Sequence, residues 1–101
     1  MNSKRNGNTV IVQLDRGDEI CSSLLAAAQK EGIRGGSVSG IGATDSFTVG
    51  VFDLEKGEYE RFDYSDGNYE IVSLLGNLSV MNGEAYQHLH IPCEGQTAFS
   101  L

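Results

Sequence analysis

Two histidines separated by one residue are the strongest chemical signal in the sequence. His88 and His90 lie in a strand-like segment. Alternate side chains of a β-strand share one face and lie ~6.6 Å apart, so both imidazoles can converge on one metal ion. Zinc needs at least a third protein ligand, for which Glu70, Glu84, Cys93 and a neighbouring subunit all stay open. The alternative is a hydrogen-bonded, inert histidine pair on a polar strand face.

Two further patterns suggest chemistry less strongly. Gly40-Ile41-Gly42 begins like a dinucleotide-binding loop, but Asp45 stands where the third glycine belongs. A strand is predicted to follow instead of a helix, which favours tight backbone packing over phosphate binding. Eight carboxylates lie between residues 45 and 70 without calcium-loop spacing, which indicates a solvated surface. Because no complete catalytic set stands out, a binding protein is favoured over an enzyme.

The composition is that of one ordinary globular domain. The chain has 101 residues, of which 40% are hydrophobic and 21% charged, so we predict a single domain over residues 1–101. Residues 1–8 are polar and are predicted to form a flexible N-terminal tail without a signal-peptide core. Seven basic and fourteen acidic residues give a net charge of −7, which opposes non-specific attraction to DNA phosphates.

The cysteines and apolar runs indicate a cytoplasmic protein that contacts no membrane. The longest purely apolar run, Leu24 to Ala28, is far shorter than the ~20 residues of a membrane-spanning helix. Cys21 and Cys93 form no CxxC pair, and two lone cysteines are typical of thiols in a reducing compartment. Cys21 is predicted to lie in the helix core.

Hydrophobic periodicity predicts one helix followed by strands. The helix runs over residues 18–31, with Ile20, Leu24 and Ala28 on one stripe and Gly32 as a left-handed cap. Asn82-Gly83 is the clearest hairpin turn. Strands are predicted over residues 9–14, 36–43, 47–53, 59–64, 69–80 and 85–91, with another starting near 97. This order predicts the α+β class, an antiparallel β-sheet with one main flanking α-helix.

Six segments, read in order, resemble the PPC domain family (plants and prokaryotes conserved). The similarity runs from about Val10 to Ile91. The segments are Gly17-Asp18-Glu19-Ile20, Gly32-Ile33-Arg34, Val38-Ser39-Gly40-Ile41-Gly42, Gly50-Val51-Phe52-Asp53, Glu70-Ile71-Val72-Ser73-Leu74-Leu75-Gly76-Asn77 and His88-Leu89-His90. The resemblance implies a homotrimer. Plant members join this domain to AT-hooks and act as nuclear regulators, and prokaryotic members usually stand alone as predicted DNA-binding proteins.

The sequence departs from the family pattern in three places. It carries no AT-hook motif. The plant partner-binding segment Gly-Arg-Phe-Glu-Ile-Leu corresponds to Gly67-Asn68-Tyr69-Glu70-Ile71-Val72, where Asn68 replaces the arginine. The family's final strand, whose Gly-Gly-His segment would offer a natural third metal ligand, is expected after Phe99 and is missing from the sequence.

Three functions are therefore expected from the sequence. The first is a stand-alone PPC-domain protein, a predicted DNA-binding or regulatory module that acts as a homotrimer and recognises DNA or a protein. The second is a zinc or small-ligand binding protein that uses His88 and His90, with enzymatic activity left open. The third is a truncated, inactive copy.

Overall fold

A computed structural model describes residues 1–95, with side chains through Cys93. Eight strands and one helix follow one another in this part of the chain. They are β1 (Asn2–Asn6), β2 (Thr9–Gln13), α1 (Ile20–Lys30), β3 (Gly36–Thr44), β4 (Phe47–Asp53), β5 (Glu58–Tyr64), β6 (Tyr69–Met81), β7 (Glu84–His90) and β8 (Cys93–Gly95). The predicted strand near 97 and the predicted loss of a final family strand lie outside the described residues.

The strands form three sheets. β1 pairs with β2, β4 pairs with β5, and the third sheet has the order β3-β6-β7 with β8 also on β6. The pairs β1–β2, β4–β5, β6–β7 and β6–β8 are all antiparallel. Mostly antiparallel sheets with one short helix confirm the predicted α+β class.

The predicted flexible tail over residues 1–8 is wrong, because Asn2–Asn6 forms a strand paired with β2. Gly7 has a φ of +62°, which fits the first position of a two-residue hairpin turn. The Arg5 guanidinium lies 3.5 Å from the Glu31 carboxylate and also donates to the Glu31 backbone oxygen. Ser3 donates to the same carboxylate at 3.2 Å. The polar side chains that suggested disorder instead attach this hairpin to the end of α1.

Both ends of α1 are capped, which explains its bounds. Glu19 accepts hydrogen bonds from the backbone N–H groups of Cys21 and Ser22 at 2.5 and 3.2 Å. At the other end Gly32 has the predicted left-handed φ, +67°, and its N–H donates to the oxygen of Gln29 at 3.2 Å. The N–H of Ile33 donates to the oxygen of Ala28 at 2.8 Å, which completes a Schellman motif.

The prediction that Cys21 lies in the helix core is wrong, because this residue is exposed. It shares a stripe with Ala28, but it stands two turns nearer the start of α1, where the helix end is open to solvent. Its sulfur is partly desolvated, and this desolvation together with the nearby Glu19 carboxylate raises the pKa of the thiol. Cys21 is therefore neither a core residue nor an activated nucleophile.

The chain divides into two compact units. The first unit comprises Met1–Ser39 and Leu75–His90, and the second comprises Gly40–Leu74 with the described residues from 91 onward. Ala27 and Ala28 are buried in the first unit, and Ile71 and Leu74 in the second. Each unit thus has a small apolar centre of its own.

Candidate functional site

A tight hairpin turn sets the register of the strands that carry the histidines. Asn82 and Gly83 have φ values of +53° and +81°, as a two-residue type I′ turn requires, which confirms the predicted hairpin. The turn pairs Met81 with Glu84, and this register places Asn77 opposite His88.

His88 and His90 lie on the exposed face of β7, as strand alternation predicts. Their ring centroids are 4.9 Å apart and the ring planes meet at 72°. Asn77, directly opposite His88, is exposed on the same face of the hairpin. Strand alternation alone does not indicate this amide, although the register that the Asn82-Gly83 turn imposes predicts its position opposite His88. The face therefore joins two imidazoles with a neutral hydrogen-bonding group.

The other face of β7 packs toward α1. The Gln87 amide nitrogen donates to the backbone oxygen of Cys21 at 2.9 Å. The Gln87 side-chain oxygen is buried and lacks a hydrogen-bond partner among the described residues. This inward contact fixes the orientation of β7, so that the histidine side chains point away from the helix.

Gly76 is a second residue whose role at this face the sequence pattern does not indicate. It stands opposite Leu89, between the two histidines. A Cβ atom at this position would lie 2.1 Å from the His88 carbonyl oxygen and 2.7 Å from Cδ2 of Leu89. Only glycine allows the two strands to approach this closely, and the approach sets the backbone from which both imidazoles project.

His88 and His90 are the candidate zinc ligands that the structure brings close together. Among side chains through Cys93, no group of three or more His, Cys, Asp or Glu residues could hold a metal ion together. Glu84 shares the exposed face, but it precedes His88 by four residues, or ~13 Å along a strand. No chemical step through a metal follows from these residues alone.

The segment from Gly67 to Val72 leads into β6 and runs along its first half. Glu70 and Val72 are exposed, whereas Ile71 is buried. Tyr69 donates its hydroxyl hydrogen to Asp66, and this hydrogen bond raises the pKa of the phenol. Gly67 and Asn68, which precede the strand, are exposed as well. The predicted partner role would therefore depend on these four exposed positions.

Exposed aromatic side chains occupy the β4–β5 ribbon of the second unit. Phe52 and Tyr59 are cross-strand neighbours whose rings meet edge to face at 5.1 Å. Beside them lies a shallow depression of about 380 Å³, lined by Thr48, Gly50, Tyr59 and Arg61. Thr48 donates to Asp63 at 2.6 Å. Gly40-Ile41-Gly42, in contrast, lies within β3, and the chain continues into another strand instead of a phosphate-binding helix.

The net charge of the chain belongs entirely to the second unit. The first unit contains five basic and five acidic residues, whereas the second contains two basic and nine acidic ones. The eight carboxylates between residues 45 and 70 are exposed, except for the half-buried Asp53. Partial burial raises the pKa of the Cys93 thiol, so this cysteine is not activated for nucleophilic chemistry.

The antiparallel sheets and the single short helix define an α+β domain whose hairpin presents the histidine pair on an exposed face. The chain belongs to the Plants and Prokaryotes Conserved (PCC) domain family, whose model matches residues 1–99. The predicted family resemblance is thus confirmed.

Solved structures agree with this assignment. A predicted DNA-binding protein from Bacteroides thetaiotaomicron is similar with a TM-score of 0.89 and 34% identity, over 95% of this chain and 66% of that one. A plant- and prokaryote-conserved protein from Pyrococcus horikoshii has a TM-score of 0.76 and 32% identity, over 83% and 58%. A metal-containing protein from Archaeoglobus fulgidus has a TM-score of 0.77 and 30% identity, over 82% and 59%.

The chain spans between 58% and 66% of the length of these three solved structures. No curated protein matches it significantly. Within the described residues, no helix combines the length and the apolar character that crossing a membrane requires.

Proposed function

We propose that this chain is a regulatory module that acts as a homotrimer and recognises DNA or a protein partner. One observation carries the proposal: fourteen large hydrophobic side chains are exposed, and only four hydrophobic residues are buried in the described part of the chain. Exposed apolar side chains in this number, beside so few buried ones, favour surfaces that a subunit or a partner covers. A domain of this size also has little stability to spare without a partner subunit.

Size-exclusion chromatography with light scattering tests the assembly. A homotrimer has three times the chain mass of 10.9 kDa, and this mass should persist on dilution through the micromolar range. A monomer mass at all concentrations would contradict the proposal. The same experiment separates a functional assembly from the inactive-copy alternative, for which a polydisperse species is expected.

The DNA branch of the proposal concerns the first unit, because the second unit repels phosphate. Lys4 and Arg5 lie on the β1–β2 hairpin, and two-stranded ribbons are among the elements that enter DNA grooves. Arg5 is partly neutralised by Glu31, so we expect weak binding with a strong salt dependence.

A gel shift with random-sequence duplex at about 50 and 200 mM salt measures this binding. Lys4→Gln should weaken the shift, whereas the matched variant Lys56→Gln in the acidic unit should not. Absence of any shift at the lower salt concentration would remove the DNA branch and leave the protein-partner branch.

The second candidate function is metal binding, which the 4.9 Å separation of the His88 and His90 rings favours. These two residues would hold a zinc ion, with the remaining ligand supplied by a neighbouring subunit. Bound zinc would supply a Lewis acid at the exposed face. The similar protein from Archaeoglobus fulgidus is metal-containing.

Elemental analysis of protein purified from zinc-supplemented medium tests this candidate. Stoichiometric zinc should be lost in His88→Ala and in His90→Ala but retained in Tyr86→Phe, which changes another side chain on the same face. Metal-free wild-type protein that takes up no added zinc would exclude the candidate. A cytoplasmic location remains a prediction, with which the two free cysteines agree.

A further inference from the structure

One side of the β1–β2 hairpin is polar and exposed along its whole length. Residues directly opposite each other in an antiparallel pair share a face, and the register of this hairpin brings six residues together in that way. They are the pairs Asn2 and Gln13, Lys4 and Ile11, and Asn6 and Thr9. All six are exposed. We call this set the β1–β2 face.

The opposite side of the hairpin holds it on the end of α1. Ser3 and Arg5 lie on that side and contact the Glu31 carboxylate at 3.2 and 3.5 Å. Val10 and Val12, which share that side, are half-buried. The β1–β2 face is therefore presented in a fixed orientation before any ligand binds, which lowers the entropy cost of binding.

The side chains of the β1–β2 face have the chemistry of base recognition. Three carboxamides, one hydroxyl, one ammonium and one aliphatic group occupy it, and none of the fourteen acidic residues of the chain lies on it. Asn and Gln make paired hydrogen bonds to adenine, Lys donates to guanine, and apolar side chains contact the methyl group of thymine. The only charge on this face, that of Lys4, has the sign that DNA phosphates attract.

The dimensions of the hairpin fit duplex DNA. Side chains on one face of a strand recur every ~6.6 Å, which is about two base-pair steps of ~3.4 Å. The hairpin is a two-stranded sheet, and the major groove of B-DNA, ~12 Å wide, admits a two-stranded β-ribbon. The deep, narrow major groove of an RNA duplex cannot be read by side chains. Duplex DNA is therefore the ligand that matches both the spacing and the chemistry.

We propose that the β1–β2 face reads base edges in the major groove of duplex DNA. This inference rests on the DNA branch of the proposed function and adds sequence readout to it. Asn6, beside the turn, and Gln13, at the far end of the face, bind adenines. Ile11, between them, contacts a thymine methyl group. Lys4 adds attraction to DNA that is independent of its sequence.

Selection of bound duplexes from a randomised library at about 50 mM salt tests the inference on the full chain. The wild type should enrich a short motif that contains adenine. Affinity for the enriched duplex, measured by fluorescence anisotropy, should fall about tenfold in Asn6→Ala and in Gln13→Ala, because each change removes a paired contact to a base. Gln29→Ala, which removes an exposed carboxamide from α1, should leave the affinity unchanged.

A comparison of duplexes separates base readout from attraction to phosphate. Asn6→Ala should keep the wild-type affinity for random-sequence duplex, which also shows that the variant folds, whereas Lys4→Gln should weaken binding to every sequence. Binding without an enriched motif, or a motif that Asn6→Ala and Gln13→Ala leave unchanged, would overturn base readout and leave the DNA branch standing. Absence of all binding at about 50 mM salt would overturn both.

Discussion

Replacing Gly76 with alanine should destabilise the protein severely, because the new methyl group would overlap the opposite strand. Its Cβ would lie 2.1 Å from the His88 carbonyl oxygen, whereas carbon–oxygen contacts between strands are ~3.3 Å. The strands must therefore separate by ~1 Å, which strains the neighbouring ladder hydrogen bonds as well. Backbone strain from a left-handed conformation does not contribute to this loss of stability, because Gly76 is not among the residues with positive φ.

The expected loss in the free energy of unfolding is about 3 kcal/mol. Overpacking of this kind costs ~1–3 kcal/mol, and each weakened backbone hydrogen bond adds ~0.5–1.5 kcal/mol. Small domains have only ~5–15 kcal/mol in total, so Gly76→Ala should lose between about a fifth and three fifths of the stability. The same displacement would move the backbone of His88, so any zinc bound by the pair should be lost as well.

Urea denaturation of both proteins at one concentration measures this effect, because subunit association makes stability concentration-dependent. Gly42→Ala is the matched control, since Gly42 also lies in a strand and a Cβ there meets no atom within 4 Å. The control should keep or raise the stability, by up to ~1 kcal/mol, because alanine loses less backbone entropy than glycine in a strand. Equal midpoints for the two variants would show that the strands do not approach as closely at Gly76 as described.

Three smaller perturbations test other contacts. Gln87→Met should be neutral or stabilising by up to ~1 kcal/mol, because removal of a buried side-chain oxygen without a partner offsets the loss of one hydrogen bond to Cys21. A clear decrease in the thermal unfolding temperature would refute this. Glu19→Ala should cost ~1 kcal/mol through the lost N-cap, whereas Glu19→Gln should largely preserve stability in the same urea titration. Asp66→Asn should lower the raised pKa of Tyr69 in an ultraviolet titration. Because that pKa is raised in the fold, its stabilising contribution is present below the unfolded pKa and is lost as pH rises through the folded value.

The strand pattern was predictable because it depends on local signals. The predicted strand over residues 47–53 coincides with β4, and those over 36–43 and 69–80 differ from β3 and β6 by one residue at the end. Alternation, β-branched residues and glycine breaks are all properties of neighbouring residues. The N-terminal hairpin was missed because its stability depends on Arg5 and Ser3 reaching Glu31, more than twenty-five residues further along the chain.

The side of β7 on which the histidines lie could be predicted from the sequence, but the contact that sets their backbone could not. Strand alternation alone placed His88 and His90 on one side. The need for glycine at position 76 could not be foreseen, because it arises from the distance between two strand backbones. The net charge of −7 can be counted from the sequence. That this charge belongs to one unit could not be predicted, because the fold decides which residues form each unit.

The amino-acid sequence by itself determined the order of the elements from β2 to β7, the helix cap at Gly32, the hairpin turn at Asn82-Gly83 and the family, because each depends on residue type at short spacing. The tertiary structure alone decided which apolar side chains remain exposed and which polar groups meet across strands. Burial and cross-strand contact depend on the positions of residues far apart in the chain, and local periodicity does not specify those positions.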